Sequence, residues 1–396
     1  MDNITHSLVG VALADLAMGR PAKAQRPIFV GAGIIAANLP DIDLAYSGIT
    51  TSPLGYLLHH RGHTHTVAGL LVLAFVLVLA YWFFPSVGRM GLLGRVRFWL
   101  LIAIALASHL ALDSLNSYGV HPFYPFDNQW YFGDAVFILE PWLWLMFGVA
   151  AAWNGRSGVA RLAVALPMMV LLVTTASTGA IPLESAAALA VGGGAFAWFA
   201  HRLSPPMRAA AALVVCIAFA CGLLATSRAA RGAAVDALRA ELTGNVVDVV
   251  LTPNPSSPLC WAAIVIEARE PQGEYVLWRG TLSLSPAWKR PTTCASQRFV
   301  GAREIRVVGD GRFALRDNRH QSLRQLRELA DSDCRVKAWL RFGRAPVIEG
   351  ESIYDLRFAE RFGQNFSHMR LSPRGNCPAN VPDWGMPRAD LLRGGE

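Results

Sequence analysis

His59-His60-Arg61-Gly62-His63-Thr64-His65 runs directly into Thr66–Phe84, TVAGLLVLAFVLVLAYWFF. That uncharged run approaches the roughly 20 residues a helix needs to cross a bilayer. Ionisable groups are costly in hydrocarbon, so histidines crowded at the end of such a run are functional candidates rather than filler. This stretch therefore predicts a membrane helix that carries metal-binding side chains to one membrane face.

Working outward, similar apolar runs occupy Phe98–Leu112, Val136–Trp153, Leu162–Ile181, Ser185–Ala200 and Ala209–Thr226. Two shorter ones, Thr5–Met18 and Pro27–Leu39, read either as tilted spans in a thin bilayer or as a re-entrant hairpin. Of the 396 residues, 53% are hydrophobic and only 16% charged. A soluble domain carries about 25% charged residues, so an ordinary cytosolic globule is excluded, and so is a disordered chain. Residues 228–396 hold 25 of the 36 Lys and Arg and 19 of the 28 Asp and Glu. The expected architecture is thus mainly α: a polytopic bundle of six to eight transmembrane helices over residues 1–227, then a small β-rich soluble domain over 228–396.

If all eight runs cross, one side receives Arg20, Lys23, Arg26, Arg89, Arg95, Arg97, Arg156, Arg161, Arg202 and Arg208, and the other side's short loops receive Arg61 alone. Positive loops stay cytoplasmic. The histidine-rich face and the C-terminal domain are then periplasmic, in a bacterial inner membrane. No cleavable signal peptide is expected, since the first apolar run follows Asp2 rather than a basic region. The net charge of +8 invites a nucleic-acid reading. We set it aside: the excess is spread along the chain with no zinc-finger, RRM or basic-helix pattern, and attraction to anionic lipid is the simpler account.

Cys216 and Cys221 lie in the last apolar run and read as small hydrophobes. Cys260, Cys294, Cys334 and Cys377 lie in the exported part, where an even number suggests two disulfides with three possible pairings. Strands are expected at Val246–Leu251, Trp261–Glu267, Tyr275–Leu282 and Val336–Phe342, and a helix at Ser322–Leu329. The Pro-, Gly- and Arg-rich tail after Ser372 reads as loose.

Seven of the ten histidines lie between His6 and His121, and they come with carboxylates. Asp2 and His6 open the first run, Asp41 and Asp43 close the second, His59 to His65 open the third, and His109 and Asp113 close the fourth. Four segments of alternating direction thus deliver their polar residues to one face. His109 and Asp113 are four apart, so a helix points both to one side, one turn apart. Imidazole with carboxylate suits Zn²⁺, Mn²⁺ or Fe²⁺ better than Ca²⁺, and there are donors for two or three ions. Such clusters lower the pKa of bound water and clamp oxyanions, the chemistry of phosphoester hydrolysis.

His59 and His63 are second candidates, as metal neighbours or interfacial residues. Asp2 and Glu140 could be further ligands or helix caps. His121 reads as an interface residue, Trp142, Trp144 and Phe147 as an aromatic belt, and Gly192-Gly193-Gly194 as a site of close helix packing.

The segments Met1-Asp2-Asn3-Ile4-Thr5-His6-Ser7-Leu8, Asn38-Leu39-Pro40-Asp41-Ile42-Asp43, His60-Arg61-Gly62-His63-Thr64-His65 and His109-Leu110-Ala111-Leu112-Asp113-Ser114 resemble, in that order, the motifs of the YdjM-like inner-membrane metal-dependent hydrolases, also described as LexA-binding. The resemblance covers roughly residues 1–180. That family is distantly similar to zinc-dependent phospholipase C and single-strand-specific zinc nucleases, whose helical sites use His-x3-Asp pairs. By this resemblance His6, Asp41, Asp43, His60, His65, His109 and Asp113 are the expected metal ligands. Asp41 or Asp43 would bridge ions or orient water, and Arg61 would grip a substrate phosphate. The expectation is a membrane-bound hydrolase of a phosphoester in a lipid or envelope precursor, with membrane lipids around it and no nucleic acid. A divalent-metal transporter or a non-catalytic membrane regulator is the alternative, the latter with a LexA-type partner implied by the resemblance alone.

Overall fold

The computed structural model describes residues 1–18, 25–50, 53–155, 157–177, 181–294, 305–358, 365–371 and 376–393. Arg20, Lys23 and Arg156, counted above among the basic loops, lie outside them. The helices of the N-terminal part are α1 (Asn3–Met18), α2 (Arg26–Asn38), α3 (Asp43–Tyr46), α4 (Leu54–His59), α5 (Val67–Trp82), α6 (Pro85–Gly88), α7 (Leu92–Asp113), α8 (Pro141–Asn154), α9 (Gly158–Ser177), α10 (Leu183–Ala200) and α11 (Pro205–Leu238).

Four segments are long and apolar enough to cross a membrane: Arg26–Ile49, Leu92–Asp113, Leu183–Ala200 and Pro205–Leu238. Leu54–His65 with Val67–Trp82, bent by 68°, makes a fifth if counted as one span. Among the described residues this is fewer than the six to eight expected. α1, with 16 residues, and α8, with only 14, fall short of a full span, and for α8 the apolar run Val136–Trp153 overstates the helix. In particular α8 begins at Pro141 rather than Val136, because proline is favoured at the first turn and the Glu140 side chain accepts from Trp142 N as its N-cap.

α1 and α2 form a hairpin whose backbones touch at Gly10 and Gly33. A Cβ on either glycine would run into the other's carbonyl, so only glycine permits this approach. Gly192 and Gly193 likewise receive the Trp142 and Leu145 side chains, in line with the packing role expected of them. α11 has 34 residues, roughly 51 Å of helix. It runs unbroken through position 227, the expected boundary, and continues into the C-terminal part.

There, β1 (Asn245–Pro253), β2 (Cys260–Arg269), β3 (Glu274–Ser283), α12 (Pro291–Cys294), β4 (Arg306–Val308), β5 (Phe313–Ser322), α13 (Leu323–Ser332), α14 (Cys334–Trp339), β6 (Pro346–Glu349), β7 (Ser352–Asp355), β8 (Met369–Arg370) and α15 (Ala389–Leu392) follow. An antiparallel sheet of order β1-β2-β3-β5-β4 and a three-stranded one of order β6-β7-β8 result. The first three expected strands are present, and so is the helix near Ser322, capped by the Ser322 hydroxyl on Gln325 N. Val336–Phe342 is not a strand. Asp333 caps a helix there by accepting from Arg335 N, and Val336, Trp339 and Leu340 share one buried face at helical spacing.

One face of the large sheet packs Val249, Trp261, Val265 and Trp278 against Ala230, Ala234 and Leu238 of α11. The other face packs Ile266, Tyr275 and Leu277 on α13 and α14, and this core also takes in Leu57 and Leu58 of α4 together with Tyr118. Burying such leucines contributes about 1.5–3 kcal/mol each, so the C-terminal part is welded to the segment that carries His59 and His60. The cysteines pair as Cys260–Cys294 and Cys334–Cys377, while Cys216 and Cys221 are free. The expected loose tail is a correction. Residues 376–393 fold back on the membrane part: Trp384, 1% exposed, donates to Leu58 O at 2.7 Å, Asn380 donates to Ile49 O, and Thr50 donates to Ala379 O. An indole that finds both apolar surface and a carbonyl outweighs the low local apolar content that made this stretch read as loose. Residues 372–375 and 394–396 of the tail lie outside the described residues.

Candidate metal centre

Three helix ends and one loop meet at the site. Its residues come from the start of α1 (His6), the turn after α2 (Asp41, Asp43), the loop between α4 and α5 (His60 to His65) and the last turn of α7 (His109, Asp113). The loop is held tightly to α5. Thr66 caps α5 by accepting from Gly69 N at 2.8 Å, and a Cβ on Gly69 would collide with His63 O.

Asp41, His65, His109 and Asp113 each offer one donor atom, all within 4.8 Å of one another. His65 Nε2 lies 3.5 Å from Asp41 Oδ1 and 3.4 Å from Asp113 Oδ2. For His109 Nε2 the same distances are 3.6 and 3.8 Å, and the two Nε2 atoms are 2.9 Å apart. Tetrahedral donors at about 2.0–2.2 Å from a zinc-sized ion would be roughly 3.3–3.6 Å apart, so the donor set fits one.

The outer ring nitrogens strengthen the fit. His109 Nδ1 lies 2.7 Å from Ala37 O, and His65 Nδ1 lies 3.0 Å from Asp43 Oδ2. Each contact assigns the proton to Nδ1 and leaves the Nε2 lone pair facing the centre. Two lone pairs and two carboxylates then converge on one point, an arrangement that could hold a cation.

A second group of donors, Asp41, Asp43 and His60, shares Asp41 with the first. His60 Nδ1 is 3.2 Å from Asp43 Oδ1, while Asp43 Oδ2 accepts from Arg61 N at 2.8 Å and Thr64 Oγ1 at 3.1 Å. His6 stands beside the first group: its Nε2 is 3.3 Å from Asp113 Oδ1, its ring stacks on His109 at 3.9 Å, and neither ring nitrogen has a hydrogen-bond partner. All seven expected ligands are therefore brought to one place, six of them in the two donor groups.

Arg61 is placed differently from the phosphate grip expected of it. It is 1% exposed, and its Nε lies 2.9 Å from Asp113 Oδ2. Its Nη1 donates to Asp113 O and to Asn116 Oδ1. The guanidinium is engaged in orienting Asp113, because the Asp113 carboxylate and two neutral carbonyl oxygens replace solvent around it in a buried site. Its backbone is left-handed, with φ of 57°, a conformation that costs a non-glycine residue about 1–3 kcal/mol and here turns Arg61 N toward Asp43.

The second candidates fall outside the donor groups. His59 Nε2 meets Thr50 Oγ1 at 2.8 Å, His63 packs on Trp384 and Tyr124, and His121 stacks between Trp130 and Trp384. Asp2 is a helix cap that accepts from Thr5 N, and Glu140 caps α8. Trp144 and Phe147 are buried rather than belted, since Trp144 Nε1 reaches Asp2 and Thr5 across the bundle.

Sequence reasoning passed over Asn3, Asn38, Thr64 and Asn116. Asn3 Nδ2 donates to Asp41 Oδ2 at 2.9 Å and to Asn38 Oδ1 at 3.2 Å, fixing the carboxylate both groups share. Asn3, Asn38 and Thr64 sat inside the quoted motifs, but neutral side chains give no ligand signal. The Met1 α-amine also contacts Asp113.

A family model described as YdjM inner membrane protein matches residues 1–181. The Bacillus subtilis protein YfhP is 27% identical over 167 residues, which is 40% of this chain and about half, 49%, of YfhP. The Escherichia coli inner membrane protein YbcI is 34% identical over 132 residues, 33% of this chain and 70% of YbcI. No solved structure matches. With three helix ends and one loop converging on its motif residues and YbcI matched over most of its length, this chain belongs to the YdjM inner membrane protein family.

Proposed function

We propose that this chain is a membrane-embedded, metal-dependent hydrolase of phosphoesters, with a lipid or envelope precursor as substrate and two divalent ions, zinc foremost, sharing Asp41. The observation that carries the reading is the pair of overlapping donor groups joined at Asp41, each with its donor atoms within 4.8 Å of one another. An ion held there would polarise a phosphoryl oxygen and lower the pKa of its water toward neutrality.

The chain's own residues have separable tasks. His65, His109 and Asp113 form the buried wall. Asp41 and His60, with side chains 13% and 14% exposed, form the open side from which substrate approaches. Tyr56 stacks on His60 at 5.0 Å and screens that side. Asp43 and Arg61 hold His65 and Asp113 in place. The two disulfides support a periplasmic C-terminal domain in a bacterial inner membrane.

The test is elemental analysis of the purified protein in detergent, followed by a panel of phosphoesters. Two divalent ions per chain are expected, with turnover lost together with metal in the His109→Ala/Asp113→Ala double variant. Full turnover by a stably inserted, metal-free double variant would refute the reading.

A further inference from the structure

Tyr118 lies five residues beyond Asp113, in the loop that leaves α7. Its backbone is held from both sides. Tyr118 N donates at 2.9 Å to Asn116 Oδ1, the atom that also accepts from Arg61 Nη1. Arg357 Nη1 donates to the carbonyl oxygens of Ser117 and Tyr118, at 2.7 and 3.3 Å. The side chain is 7% exposed, and its ring rests on Phe342 and Phe358 of the C-terminal part. The same ring meets His60 edge to face at 5.6 Å, and the Arg61 guanidinium stands over it at 4.7 Å.

So firmly placed a ring leaves its hydroxyl unanswered. Tyr118 Oη is buried and has no hydrogen-bond partner among the described residues. A buried hydroxyl without a partner costs stability, and phenylalanine would fill the same space without that cost. Tyr275, buried in the same core, donates to Pro346 O at 3.0 Å. The Tyr118 phenol is therefore a donor kept for something other than packing, and its surroundings indicate what. Tyr56, Arg61, Arg357 and Asp43 are the ionisable groups that bear on it. Asp43 and His60 belong to the second donor group, on the open side of the centre. Tyr56, stacked on His60, and Phe366, stacked on Tyr118, touch edge to face at 5.4 Å, and both are exposed. Exposed side chains change rotamer rapidly, so this cover can admit a ligand without backbone movement.

We propose that Tyr118 is a further catalytic residue of this centre, its phenol O–H donating a hydrogen bond to a phosphoryl oxygen of an ester held at the second donor group. The proposal rests on the hydrolase reading above and adds to it a residue that is not a metal ligand. A donor fixed in advance by Asn116 and Arg357 needs no reorganisation as charge shifts on the phosphoryl group.

The experiment compares wild type, Tyr118→Phe and Tyr275→Phe, each full-length in detergent and loaded with zinc. Metal content is read by elemental analysis, stability by Tm, and affinity for inorganic phosphate by titration calorimetry. For Tyr118→Phe we expect unchanged metal content, a Tm no lower than wild type, and phosphate affinity weaker by at least about tenfold, the effect of one hydrogen bond to a charged oxygen. Tyr275→Phe should lower Tm and leave phosphate affinity unchanged. Phosphate binding that Tyr118→Phe does not weaken would overturn the role of Tyr118 and leave the metal centre standing. Wild type that takes up no zinc, or takes it up and binds no phosphate, would overturn the hydrolase reading and this proposal with it. A lower Tm or lost metal in Tyr118→Phe, or an equal loss of affinity in Tyr275→Phe, would make the hydroxyl structural and overturn the proposal as well.

Discussion

His65 Nε2 and His109 Nε2 face each other at 2.9 Å, although their residues lie 44 positions apart on different helical segments. Because Ala37 O and Asp43 Oδ2 take the opposite ring nitrogens, neither Nε2 can hydrogen-bond the other without an added proton or ion. His65→Ala and His109→Ala should therefore each lose the ion of the first group, while His59→Ala and His121→Ala retain both ions. Elemental analysis of the four purified variants distinguishes them, and equal loss in all four would mean that metal content merely reports folding.

Asp43 should matter twice, as a donor of the second group and as the partner that orients His65. Outer partners of ligating histidines typically contribute 10–100-fold to metal affinity. Asp43→Asn is expected to eliminate the second ion and weaken the first by that factor, as measured by competition with a zinc chelator. A variant that keeps the first ion at full affinity would remove Asp43 from the orienting role.

Arg61→Gln takes the guanidinium from the buried Asp113 carboxylate and leaves the Met1 α-amine as its remaining charge partner. Breaking such a pair costs about 3–5 kcal/mol. The expected signature is a lower Tm and weaker metal retention. A rise in KM alone, with metal content and Tm unchanged, would instead restore the phosphate grip.

Trp384 ties the C-terminal segment to α4 through Leu58 O and stacks on His121. Trp384→Ala should cost about 3–5 kcal/mol and loosen the ligand-bearing loop. Hydrogen exchange over residues 54–66 should quicken at least tenfold relative to α11. Unchanged exchange there would show that the clasp does not support the metal centre.

A buried charge network joins the loop before α8 to the sheet: Arg344 bridges Asp134 at 2.8 Å and Asp248 at 2.7 Å. Burial pushes the Asp248 carboxyl up, but the Arg344, Arg388 and Arg231 guanidiniums outweigh it and hold it well below the usual carboxylate range. A depressed folded pKa contributes stability that is complete above the unfolded value, about 3.9, and is lost as pH falls through the folded value. Asp248→Asn should thus lower Tm at pH 7, and the gap to wild type should narrow as pH drops below about 4. A gap that is constant from pH 7 to pH 3 would assign the loss to packing.

Patterns within one element were legible from residues alone. Uncharged runs announced membrane helices, His109 and Asp113 at helical spacing shared a face, and alternating β-branched residues marked β1 to β3. Their reach is local, because periodicity relates a side chain only to its own helix or strand. Hence Val336–Phe342 was misread, where an Asp333 cap overrode strand-like composition, and the extent of α8 was overestimated until Pro141 set its start. The amino-acid sequence by itself determined which donors exist and that they cluster at the ends of four segments. Tertiary structure decided the rest: that Asp41 belongs to both donor groups, that Ala37 O and Asp43 set the imidazole tautomers, that Arg61 serves Asp113, and that Trp384 reaches back some 320 residues to Leu58. Those outcomes depend on which distant groups compete for one buried donor or acceptor, and that competition is settled only when the whole chain has packed.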